Sequence, residues 1–320
     1  MPAIFRPTVT HQRVLVIVGA IVLVSLSGLL LSSFATDAII ATNRPCAPNI
    51  REDDKSKIAD FSLVPDTTAP GATHLILVAA HAIWKGGPPN VHAGESPSEW
   101  NLKDFQAGQQ ETFIKHIEVG AQLAMLDEDA VMVFSGGQTD AKTGPISEGQ
   151  SYWNLAMARP TFPETSNLPL RMTTEEYARD SYENLLFSIC RFHEFTGSYP
   201  RKITVVSHSF KGKRFEKLHR AAIRFPRNSF KFVGINPPGE PPLQQERENA
   251  VLPFLADPYG CVQPLLISKR VVRNPFRRHA PYLDSCPELY GLLTYCSSNG
   301  NIYEGSLPWD EKTLQDDVLV

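Results

Sequence analysis

The chain has 320 residues, 42% hydrophobic and 20% charged, a balance that argues against a disordered or fibrous protein. With a net charge of −3 and basic residues spread along its length, it has no electrostatic footprint for nucleic acid, and no such partner is expected. Its five cysteines, Cys46, Cys190, Cys261, Cys286 and Cys296, show no C-x-x-C pair and none of the usual zinc-ligand spacings, so no metal site is assigned.

Residues 1–13 are short and carry Arg6 and Arg13. They precede an uncharged run, residues 14–35, VLVIVGAIVLVSLSGLLLSSFA. At about 1.5 Å per helical residue such a run matches a hydrocarbon core of roughly 30 Å, and it predicts a single transmembrane helix. Asp37 follows the run, so the basic bias places the N-terminus in the cytosol and the rest of the chain outside or in a lumen. A cleaved signal peptide is the alternative, with Ser32, Ser33 and Ala35 as small residues after the apolar stretch, although such apolar cores usually span only about 7–15 residues. No Asn-x-Ser/Thr acceptor occurs in the chain. In an oxidising lumen one disulfide among Cys261, Cys286 and Cys296 is open.

Residues 36–70 hold Pro45, Pro48, Pro65, Pro70 and a charged patch without periodicity, which reads as a linker. Residues 71–240 then alternate short apolar runs with helical patterns. Strands are predicted near 74–80, 130–134, 203–206 and 230–235, and helices over about 105–127, 147–158, 174–195 and 211–225. Thr173 or Thr174 is the expected N-terminal cap of the third helix. Alternation of this kind predicts an α/β, doubly wound, Rossmann-like and mainly parallel sheet. Residues 241–320, rich in proline, form a C-terminal extension expected to wrap the domain.

In open α/β sheets ligands bind outside the carboxyl ends of the strands, and each predicted strand here ends in polar residues. The first ends at His81, the second at Ser135-Gly136-Gly137, the third at Ser207-His208-Ser209 and the fourth at Asn236. Gly136 and Gly137 let backbone approach a ligand, and Ser147-Glu148 opens a helix whose amino end favours a phosphate-like group; a plain tight turn is the alternative for the glycine pair. Neither G-x-G-x-x-G nor G-x-x-x-x-G-K-[ST] is present, so no nicotinamide fingerprint or P-loop is supported, and no cofactor identity follows. A hydrolase elbow at Ser209 would need small residues where Ser207 and Lys211 stand, and lysine argues against it. His81 and His208 are acid/base candidates, Lys211 and Arg214 phosphate-binding candidates, and Glu183 and Asn184 lie together on the helix before the third strand.

These residues give the chain a resemblance to the YdcF-like family, the domain of unknown function 218, which includes the SanA and ElyC envelope proteins of bacteria. The matches are Ser135-Gly136-Gly137, Ser147-Glu148, Ser181-Tyr182-Glu183-Asn184, and Ser207-His208 with Arg214, spread over residues 73–236. The first strand departs from the family's glycine-rich end with Ala79-Ala80-His81, and Ser181 stands for the motif threonine. The resemblance implies a Rossmann-like fold and a polar anion-binding pocket, with an S-adenosylmethionine-binding role suggested for one member.

The leading expectation is a membrane-anchored enzyme, hydrolase or transferase, acting on a phosphorylated or pyrophosphorylated anionic small molecule, with lipid-linked forms among the options. His81, His208 and Glu183 are its catalytic candidates, with Glu183 orienting a histidine. Ser135, Gly136, Gly137, Ser147, Glu148, Ser181, Asn184, Ser207, Lys211 and Arg214 are its ligand-binding candidates. The alternatives are a nucleotide-like ligand-binding module without turnover and a membrane-tethered interaction protein.

Overall fold

Continuous apolar runs of β-branched and aliphatic residues, buried on both faces, favour strands at the centre of a parallel sheet. The computed structural model, which describes residues 68–310, places two such runs side by side: β1 (His74–Ala79) pairs in parallel with β4 (Ala130–Ser135), setting Leu77 opposite Val133. On its other edge β1 pairs in parallel with β6 (Lys202–Ser207), and β6 with β7 (Phe230–Gly234). These are the four strands that the sequence predicts. The segment after β1 adds a short antiparallel pair, β2 (Ile83–Trp84) with β3 (Trp100–Asn101).

A fifth parallel strand, β5 (Met172–Glu175), pairs with β4 and completes the order β5-β4-β1-β6-β7. It corrects the expected helix over 174–195. Thr173 and Thr174, proposed as caps, are β-branched residues in the ladder, opposite Val133 and Phe134. The Glu175 carboxylate then accepts from the backbone N–H groups of Tyr177 and Ala178, at 2.7 and 3.2 Å, and turns the chain. The helix begins only at α3 (Ser181–Thr196), capped by Asp180, whose Oδ1 accepts from the Glu183 N–H at 3.0 Å.

Period-two alternation sends the strand side chains to two faces. Ile76, Val78, Met132 and Phe134 meet α1 (Gln110–Met125) and α2 (Glu148–Ala158) through Phe113, Ile117, Tyr152 and Leu155. Leu75, Leu77, Val131, Val133 and Val205 face α3 through Leu185, Ile189 and Phe192. The extension is part of this second cluster, because Phe254, Leu266, Tyr282 and Trp309 are buried in it. Among its helices is α4 (Pro264–Val272), and a Cys261–Cys296 disulfide ties its loops, leaving Cys286 buried as a free thiol.

The expected basic helix over 211–225 forms over about 212–222 and ends earlier, and its middle, Arg214–His219, is π-helical before the α-helical turn Arg220–Ala222. The wide turn is a feature common beside functional sites. The anchor expected over residues 14–35 lies outside the described residues, among which no helix is long and apolar enough to cross a membrane.

Candidate functional site

The strand order reverses at β1, with β4 on one side and β6 on the other, so the chain leaves the two central strands in opposite directions and opens a crevice at their carboxyl ends. A cavity of about 570 Å³ lies there. His81 follows β1 and His208 follows β6, and both line it.

The two imidazoles stack with centroids 4.4 Å apart. A third, His116 of α1, meets His208 edge-on at 4.9 Å and His81 at 5.4 Å. His81 is held from both sides: its Nε2 is 3.3 Å from Ser207 Oγ and its Nδ1 is 3.0 Å from Lys211 Nζ. His116 Nε2 donates to the Ile235 carbonyl at 3.1 Å, while its Nδ1 has no partner. His208 is only 2% exposed, and neither of its ring nitrogens has a hydrogen-bond partner.

Burial, reinforced by Lys211, pushes the His208 pKa down to about 2, and burial takes His116 down to about 4 despite its bond to Ile235. Burial and Lys211 also hold His81 well below the ordinary histidine value, so all three rings are neutral at neutral pH. Lys211 itself is lowered to about 7, first by burial and then by the Arg214 guanidinium.

Cations dominate the walls. Lys103, Arg179, Lys211, Arg214, Lys269 and Arg273 line the cavity against three carboxylates, Glu148, Asp180 and Glu246. Arg214 Nε lies 3.2 Å from Glu246. Asp180 is buried, which works against its charge, yet Arg270 at 2.6 Å holds it down to about 2. Arg273 Nη1 donates to the Arg179 carbonyl at 2.9 Å, joining the extension to the rim.

The sequence-predicted residues divide into two groups. His81, Glu148, Ser181, Asn184, His208, Lys211 and Arg214 line the cavity. Ser135, Gly136, Gly137, Ser147, Glu183 and Ser207 do not: Ser207 and Glu183 hold the cavity residues His81 and Arg179 from behind, and the polar atoms of the other four are engaged elsewhere. Ser135 Oγ donates to Glu175 Oε2 at 2.6 Å. The Gly136 and Gly137 N–H groups donate to the carbonyls of Glu175 and Ala178, at 3.0 and 2.8 Å. At Gly137 a Cβ would stand 2.7 Å from the Ala178 carbonyl oxygen, so close backbone packing requires the glycine there. Ser147 caps α2 by accepting from the Gln150 N–H at 2.9 Å, and its hydroxyl donates to Glu176.

Glu183 orients no histidine. Its carboxylate is taken by Arg179, whose Nε donates to Oε2 at 2.9 Å, and by Arg270 at 3.2 Å. Glu183 therefore positions the guanidinium of Arg179 on the cavity wall, and Ser207 and Lys211 do the orienting of His81.

Sequence reasoning passed over His116, Arg179, Lys269 and Arg273. His116 shares the buried face of α1 with Phe113, Ile117 and Gly120, and a histidine inside such an apolar stripe is the signal that could have found it. Lys269 and Arg273 come from the extension, where no strand end points to a site.

Comparison with known proteins finds a relative in yeast, described as the uncharacterized protein YOR238W of Saccharomyces cerevisiae. It is 32% identical over 283 residues, covering 72% of this chain and 90% of that protein. No protein-family profile and no solved structure matches the chain.

Proposed function

Since the chain belongs to one family with that yeast protein, whose description leaves its role open, we propose a function from the site itself: the protein binds an anionic, phosphorylated or pyrophosphorylated small molecule in the crevice and acts on it as a hydrolase or transferase. The observation that carries this reading is the meeting of six lysine and arginine side chains, against three carboxylates, with neutral imidazoles at a strand-end crevice of about 570 Å³. Phosphoryl groups are recognised by such convergent cations, and charge that develops on them in the transition state is stabilised most where water is excluded. The motif order that resembles the YdcF-like proteins supports the same reading.

His208 is the group free to move a proton, because neither of its nitrogens is engaged within the protein. His81, fixed by Ser207 and Lys211, stacks against it and holds its plane. Lys211, Arg214 and Arg273 take the phosphoryl oxygens. The uncharged run at residues 14–35 and the Cys261–Cys296 disulfide support a single-pass anchor with a cytosolic N-terminus and the domain in an oxidising compartment. A lipid-linked substrate fits that placement.

The test is a screen of full-length protein against phosphorylated and pyrophosphorylated compounds, reading phosphate release and thermal shift together. Release by the wild type, with loss of release but retention of the thermal shift in His208→Gln, supports the enzyme. A thermal shift without product from any compound would replace it with a nucleotide-like ligand-binding module, and a response to none of them would remove the anion reading.

A further inference from the structure

We propose that His81, His116 and His208 form a binding site for one divalent transition-metal ion of the zinc class at the floor of the crevice. The three side chains come from the end of β1, from α1 and from the end of β6, and one nitrogen from each lies within 4.8 Å of the others. Zinc–imidazole bonds of about 2.0–2.1 Å put tetrahedral ligand nitrogens roughly 3.4 Å apart, so modest ring rotations bring the three into bonding range.

The hydrogen bonding separates His116 and His208 from packed core histidines, whereas His81 would exchange its Ser207 or Lys211 partner for the ion. His74, a core histidine, satisfies both nitrogens, with Asp127 and Thr204 each at 2.8 Å. His208 satisfies neither, although it is almost wholly buried, and burying an imidazole with both nitrogens unbonded is costly. At His116 the bond from Nε2 to the Ile235 carbonyl fixes the tautomer and leaves the Nδ1 lone pair unbonded. A ligating histidine is held in this way, one nitrogen on a backbone carbonyl and the other on the ion.

His81 and His208 line the cavity, so an ion on the three rings would keep an open coordination position toward it, the arrangement of catalytic rather than structural zinc. Imidazole donors select zinc and its neighbours in the transition series over magnesium or calcium. Lys211 Nζ lies 3.0 Å from His81 Nδ1, and an anion lying between ion and amine would offset the charge the amine carries when protonated. An ion held by His208 would take up the lone pair given above to proton transfer, so metal binding would replace that role of His208 and leave the anion reading of the crevice untouched.

The experiment is a titration of tag-free, chelator-stripped full-length protein with Zn²⁺ against a chromophoric chelator. It is repeated with Co²⁺ by visible absorption, with and without inorganic phosphate. The expected result is one ion per chain in at least one condition, with affinity falling by about 100-fold or more in both His116→Asn and His208→Asn. Metal-free melting of each variant is recorded alongside, and the second position keeps the test decisive if His116→Asn does not fold. No ion bound in either condition, or affinity unchanged in a folded variant at either position, overturns the site.

Discussion

The carboxyl edge of the sheet has two halves built from similar residues, and they end in opposite ways. At the β4 and β5 side, Ser135, Glu175, Tyr282 and the backbone of residues 136–137 and 177–178 bond to one another, so the strand ends themselves are shut and the segments beyond them, among them Glu148 and Arg179, reach the cavity wall. At the β1 and β6 side, His208 has no bonding partner, His81 shares its nitrogens with a lysine and a serine, and a cavity opens above them. Serine, glycine and carboxylate at a strand end therefore do not by themselves indicate a ligand. A polar network that is closed rigidifies the fold, and one left open is available for chemistry.

The closed half is most easily broken through Glu175. Burial pushes its pKa up from 4.5 to about 7, against the hydrogen bonds from Ser135 and the Tyr177 N–H. Because the folded value lies above the unfolded one, the protonated form carries the stability, which is fully present below about pH 4.5 and lost as pH rises through about 7. Over that window the wild type should lose roughly 3 kcal/mol relative to Glu175→Gln. Denaturant unfolding at several pH values measures it, and parallel profiles for the two proteins would contradict the buried-carboxylate account.

Next in size is Gly137→Ala, expected to cost about 2 kcal/mol because the new methyl meets a backbone carbonyl that cannot rotate away. A chemical-denaturation midpoint equal to that of the wild type would show that the turn has room for a ligand after all. In the open half, Lys211→Met should weaken binding of a phosphorylated compound about tenfold, close to 1.4 kcal/mol, without lowering stability. Calorimetric titration beside thermal melting reads both quantities. The smallest change is at Ser147→Ala, which should remove a helix cap worth about 1 kcal/mol and leave anion affinity unaltered. A loss of affinity there would return Ser147 to the site.

The sheet was largely legible because β1, β4, β6 and β7 are short apolar runs bounded by polar turns, a pattern that burial on both faces imposes. β5 was not, since Met172-Thr-Thr-Glu is too short and too polar to stand out, and it becomes a strand only by pairing with β4. In the site, His81, His208, Lys211 and Arg214 were readable from the topology of strand ends. Glu183 was readable as a site candidate, but its role was not, because its carboxylate goes to Arg179 four residues away and to Arg270 of the extension rather than to a histidine. The same distance in sequence hid Lys269 and Arg273, and an apolar helix face hid His116.

The central claim, that the cations gathered above β1 and β6 bind an anion while the closed Ser135–Glu175 network at the ends of β4 and β5 does not, is tested most directly by calorimetric titration of full-length protein with inorganic pyrophosphate. The predicted result is one binding event in the wild type, weakened about tenfold or more in Lys211→Met with Arg273→Gln and within about twofold of wild type in Ser135→Ala. No binding by the wild type, or Ser135→Ala weakened as much as the double variant, would contradict it.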